Sequence, residues 1–168
     1  MPEYFIAPEY KEVFGPLIFL AGPIQGAPLW QPEAMDILRD FGDVHVASPR
    51  RLEKHVGEFT EHDYNTQVDW EHHYLDLAAA NGVILFWLPV EAEQVPGRAY
   101  AQTSRFELGE AVARHYLKGV NVVVGIEKGF TNERYLRRTI MNKAPGIPLC
   151  DTLGETCQRA WKMARSSG

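Results

Sequence analysis

Gly82-Val83-Ile84-Leu85-Phe86-Trp87-Leu88, closed by Pro89, is the stretch that decides the fold. Seven residues with no polar alternation suit a strand buried on both faces, which is what a parallel sheet requires. Upstream, Leu17–Ala21 stops at Gly22-Pro23 and Val44–Ala47 stops at Ser48-Pro49. Downstream, Val120–Ile126 is a fourth strand candidate. Ile147–Cys150 is a weak fifth, placed at an edge because Pro148 cannot donate to a ladder. Helical spacing fills the intervals: Pro32–Phe41, Asn65–Ala80, Thr103–Leu117, Asn132–Met141 and Thr152–Ala164. Strand and helix alternating five times predict an α/β chain with a mostly parallel five-stranded sheet, in one domain over residues 1–168.

Composition narrows the function. The 168 residues carry 17 Lys and Arg against 22 Asp and Glu, a charge of −5, with 45% apolar residues. A chain of this size and make-up can bury its own core. The acidic balance argues against a duplex nucleic-acid binder, which needs a basic face, but permits a small nucleotide. No run without charged or strongly polar residues, Gly82–Val90 included, approaches the roughly 20 residues of a membrane-spanning helix. Met1-Pro2-Glu3-Tyr4 has no basic leader pattern. Cys150 and Cys157 lack both disulfide-framework and metal-ligand spacing and read as reduced thiols, which predicts a cytoplasmic protein. The six histidines show no zinc-site spacing, so no metal is expected.

Ligands of open α/β sheets bind beyond the carboxyl ends of the strands. That rim holds Gly22-Pro23-Ile24-Gln25, a turn able to present backbone N–H groups, and Trp87, either a core residue or a stacking platform for a base. Two polar loops, Arg50–Tyr64 and Val90–Gln102, have the length of functional lids. Thr103-Ser104-Arg105-Phe106-Glu107-Leu108-Gly109 opens a helix. Thr103 or Ser104 with Glu107 reads as a capping box. Alternatively, Glu107 is a carboxylate aimed at the rim and kept ionised by the helix's positive end, with Gly109 admitting a close neighbour.

These stretches in this order, Phe19-Leu20-Ala21-Gly22-Pro23-Ile24, Gln67-Val68-Asp69-Trp70-Glu71, Gly82 to Pro89 and Thr103 to Ala111, resemble the nucleoside 2-deoxyribosyltransferase superfamily over about residues 16 to 126. The resemblance implies a flavodoxin/Rossmann-like three-layer sandwich. It implies N-glycosidic cleavage of a nucleoside or nucleotide without metal or organic cofactor. It implies Glu107 as the nucleophile that attacks C1′, with the sugar passed to a second base or to water. The Gly22-Pro23-Ile24-Gln25 turn then lines the pocket, and Glu71, Asn81, Trp87, Thr103 and Ser104 join it as substrate contacts. Asn81 and Ala101 stand where well-characterised members carry aspartates, so Asp69 or Glu71 is left to supply the acid, and Arg98 or Arg105 to meet any phosphate. A non-catalytic nucleotide-sensing module is the alternative.

The helix Thr103–Leu117 is apolar around much of its circumference. One face suffices to cover a sheet, so the surplus predicts a homodimer or higher homo-oligomer, as the resemblance also implies, unless the Val90–Gln102 loop covers it.

Overall fold

The computed structural model describes residues 1–166. Six strands, β1 (Tyr4–Ile6), β2 (Leu17–Ala21), β3 (His45–Ser48), β4 (Gly82–Leu88), β5 (Val122–Ile126) and β6 (Leu149–Cys150), form one parallel sheet in the order β1-β3-β2-β4-β5-β6. Five helices connect or follow them: α1 (Trp30–Phe41), α2 (Glu61–Asn81), α3 (Gln102–Lys118), α4 (Glu133–Lys143) and α5 (Leu153–Ser166).

The unbroken apolar runs have a simple cause. Successive strand residues point to opposite faces, and here both faces are covered. Ile18, Leu20, Val83, Leu85 and Trp87 are buried with residues of α1 and α5. Phe19, Ala21, Ile84, Phe86 and Leu88 are buried with residues of α2, α3 and α4. The result is a three-layer sandwich. Gly82 is obligatory at the start of β4, since a Cβ there would run into the Leu17 backbone. No helix among the described residues is long and apolar enough to cross a membrane.

The sheet has six strands where five were expected. The extra one, β1, is three residues long between Pro2 and Pro8 and pairs only with β3. That is too short to show a periodicity. Helix α2 starts at Glu61, earlier than the spacing indicated, because Thr60 and Asp63 form a reciprocal capping box. His62 and Asp63 therefore lie on a helix, not in a lid loop.

The chain leaves β2 for α1 on one face and leaves β4 for α3 on the other. The carboxyl ends of these adjacent strands thus diverge, and a crevice opens between them.

Candidate active site

A cleft of about 1220 Å³ occupies that crevice. Its floor is the β2–α1 turn, Gly22 to Gln25. The turn is held from behind: the Pro23 carbonyl accepts from Trp30 Nε1 at 2.9 Å and from Gln31 Nε2 at 3.3 Å. Gly22 has φ 150°, and a Cβ there would meet the Trp87 carbonyl and, at 2.8 Å, Trp30 Cζ2. Only glycine fits.

One wall comes from the segment after β3. Arg50 Nε donates to Gln31 Oε1 at 2.9 Å, and its Nη2 donates to the Ile24 carbonyl at 3.0 Å. Arg51 Nε donates to Gln67 Oε1 at 3.0 Å. Gln67 Nε2 then donates to Glu71 Oε1 at 3.0 Å and to the Pro49 carbonyl at 2.9 Å. Gln67 and Glu71 stand one helical turn apart on α2, on the face that meets the cleft.

The opposite wall is the start of α3 with the loop before it. That loop is pinned: the Gly26 carbonyl accepts from Ala92 N at 2.7 Å and Glu93 N at 3.1 Å, and Tyr100 Oη donates to the Pro89 carbonyl at 2.8 Å. Ala101 caps α3 with φ 58°, a left-handed conformation that turns the chain into the helix. There is no side-chain cap, so the capping-box reading of Thr103, Ser104 and Glu107 does not hold. Thr103 and Ser104 lie inside the first turn and line the cleft with Glu107.

Burial, followed by the charges of Glu71 and Glu110, pushes the Glu107 carboxyl up to about 8. Burial also raises Glu71, against the Gln67 hydrogen bond and the His72 charge, which pull it down. The expectation that the helix end keeps Glu107 ionised is therefore overturned. Glu107 is the sixth residue of α3, past the turn where the helix field acts, and desolvation with a second carboxylate outweighs that field. Two carboxyls from different helices thus face one cleft, and neither is in an ion pair among the described residues. Glu107 therefore retains its proton near neutral pH while facing a second carboxyl, an arrangement suited to acid–base chemistry.

Of the residues singled out in the sequence, Gly22, Pro23, Ile24, Gln25, Glu71, Thr103, Ser104 and Glu107 come together around the cleft. Asn81 and Trp87 do not line it. Asn81 lies at the amino end of β4, the far end of the sheet, where its Nδ2 donates to the Gly15 carbonyl at 3.1 Å. Trp87 points to the α1–α5 face and packs against Gly125, as a core residue. Arg98 reaches the cleft, whereas Arg105 lies over the Phe130 ring and donates to the Thr131 carbonyl at 2.6 Å. Nothing would lie within 4 Å of a Cβ at Gly109, so that glycine admits no close neighbour within the chain. Cys150 and Cys157 are free and buried, with thiols pushed up by burial to about 11 and about 12, so neither is a nucleophile near neutral pH. Arg50, Arg51 and the positioning of Glu71 by Gln67 escaped the sequence reading. The available signals were the Arg50-Arg51 pair just after a strand end and the helical spacing of Gln67 and Glu71.

A family model described as nucleoside 2-deoxyribosyltransferase like matches residues 15–130, more than half of the chain. The match runs from just before β2 to just after β5 and takes in the β2–α1 turn, Glu71 and Glu107. No curated protein matches the chain.

Proposed function

Since the chain belongs to the nucleoside 2-deoxyribosyltransferase-like family, we propose that it cleaves the N-glycosidic bond of nucleosides or nucleotides, with Glu107 as nucleophile and Glu71 as proton carrier. A Glu107 oxygen bonds to C1′ as the C1′–N bond breaks. The electron pair leaves on the base nitrogen, and Glu71 supplies the proton. Water or a second base then attacks C1′, the C1′–O bond to Glu107 breaks, and Glu71 takes a proton back. Carboxylates suit both tasks because the sugar passes through an oxocarbenium-like state that a nearby anion stabilises and then traps.

The carrying observation is the convergence of Glu71 and Glu107, from separate helices, on a cleft at the sheet's switch point. The test is a panel of deoxynucleosides and monophosphates, with and without acceptor base. Free base from the wild type and none from Glu107→Ala supports the enzyme. Tight binding without turnover in the wild type replaces it with a sensor module.

The same proposal includes a homo-oligomer, with a dimer as its unit. Phe106, Tyr116 and Leu117 on α3 are 78%, 74% and 74% exposed, so the loop before α3 does not cover them. Aromatic and aliphatic surface of this kind is what a two-fold contact buries. The buried free thiols of Cys150 and Cys157 support a reducing, cytoplasmic setting.

A further inference from the structure

We infer that Ser48, Arg50 and Arg51 form an anion subsite for the phosphoryl group of a phosphorylated sugar, so that the substrate of this cleft is a nucleotide and not a neutral nucleoside. The inference deepens the glycosidic reading and rests on it for the rest of the substrate.

Three observations converge on one stretch, the carboxyl end of β3 and the residues that follow. The first is Ser48. It is fully buried, it lines the cleft, and its Oγ is the one buried side-chain polar atom among the described residues without a hydrogen-bond partner. A buried hydroxyl left without a partner is unfavourable, and a ligand oxygen would satisfy it.

The second is the lack of counter-charge. Arg50, Arg51, Arg105, Arg114 and Arg137 are half-buried. Arg114 meets Asp76, and Arg137 meets Glu133 and Asp151. Arg105 is stacked on Phe130 outside the cleft. Arg50 and Arg51, the two half-buried arginines that line the cleft beside the exposed Arg98, have only neutral acceptors: an amide oxygen and a carbonyl for Arg50, an amide oxygen for Arg51. Burial weakens the hold of Arg50 on its proton, as a guanidinium without an anion requires.

The third is orientation. Arg50 is fixed through Nε and Nη2 and Arg51 through Nε, which leaves N–H groups on Nη1 of Arg50 and on both terminal nitrogens of Arg51 to meet a ligand. Arg51 is further steadied over the Phe59 ring, 5.8 Å from its centre. Planar donors held in place in this way match the paired oxygens of a phosphoryl group. The Gln67 amide stands between Arg51 and Glu71, so the cation is not neutralised by the acid pair. A phosphorylated sugar spans the two poles, its phosphoryl group at the arginines and its C1′ toward Glu107.

Isothermal titration of the full chain with 2-deoxyribose 5-phosphate, 2-deoxyribose and inorganic phosphate tests this without reference to the base. The phosphorylated sugar is expected to bind at least tenfold tighter than either of the others. Arg51→Gln and Ser48→Ala, each checked for folding by circular dichroism, are expected to cut that preference by tenfold or more. Arg50→Gln serves as a third variant only if it folds, since its side chain bridges two segments. Equal binding of sugar and sugar phosphate overturns the proposal, as does a preference that survives in both Arg51→Gln and Ser48→Ala. Inorganic phosphate binding as tightly as the sugar phosphate reassigns the subsite to a free anion and overturns the substrate assignment. Base release from nucleosides with no phosphate preference leaves the glycosidic reading standing and removes this one. A phosphate preference lost in the variants, with no base release from any monophosphate, does the reverse.

Discussion

The Glu71 carboxylate, on α2, raises the proton affinity of the Glu107 carboxyl, on α3, across the cleft. Neither helix could produce this alone. Burial sets the larger part of the effect and the second charge adds to it. The resting proton therefore sits on Glu107, and the proposed attack requires its loss there and a proton on Glu71, so the pH at which this happens is a measurable property of the site.

The first expectation concerns that pH. As the proposed nucleophile, Glu107 attacks only as a carboxylate, and its carboxyl is pushed up to about 8. Since Glu71 must hold a proton at the same moment, the kcat/KM for base release, which reports the free enzyme, should be bell-shaped and fall as pH rises through about 8, where the two carboxyls lose their last proton. A rate that keeps rising above about 8 would remove Glu71 as the proton donor.

Glu107→Gln should lower activity by several orders of magnitude while leaving the fold intact. It also has a stability signature of definite sign. The group's ordinary value is 4.5 and its folded value is about 8. Between them the folded chain keeps a proton that the unfolded chain has lost, so stability falls as pH rises through this window. Glu107→Gln removes that fall. Its melting temperature should exceed that of the wild type by a few degrees above pH 8, with about 2–4 °C for each kcal/mol in a chain of this size. Parallel melting curves across pH 5 to 9 would contradict the burial of this carboxyl.

Gln67→Met should disturb Glu71 without touching substrate chemistry directly. The Gln67 hydrogen bond lowers the Glu71 carboxyl, so its loss should move the Glu71 limb of the pH–rate profile upward. The Pro49 carbonyl and Arg51 lose a partner at the same time, which should cost about 1–3 kcal/mol of stability. An unshifted profile in a folded variant would show that Gln67 does not position Glu71.

Gly22→Ala should destabilise the chain by about 2–4 kcal/mol, because the added Cβ must displace the Trp87 carbonyl and the Trp30 ring from a positive φ that alanine resists. Chemical denaturation measures it. A loss under 0.5 kcal/mol would mean that the β2–α1 turn is not held by that contact.

Light scattering at micromolar concentration should give twice the chain mass of 19.0 kDa, or a multiple of it. Tyr116→Glu, on the exposed side of α3 and away from the cleft, should shift the mass toward the single chain. A mass of 19.0 kDa for the wild type throughout would remove the oligomer.

Five of the six strands and all five helices among the described residues were legible in the sequence, apart from their end residues, because local patterns determine them. A run such as Gly82–Leu88 without polar alternation can only be a strand covered on both sides, and Gly22-Pro23 and Ser48-Pro49 end strands by backbone geometry alone. Glu107 and the Gly22–Gln25 turn could be singled out because they follow such strand ends or open a helix. The tertiary structure decided the rest, for two reasons. Strand parity assigns Trp87 and Phe86 to opposite faces, but which face carries the cleft depends on where the crossover helices lie, so Trp87 fell to the α1–α5 core. The order of the sheet then sets β3 beside β2, which brings Arg50 to Ile24 and Gln31, and Arg51 to Gln67. The ionisation of Glu107 belongs to the same class. Its own helix argued for a low value, while burial and a carboxylate from another helix impose a high one, and both exist only after the chain has closed around them.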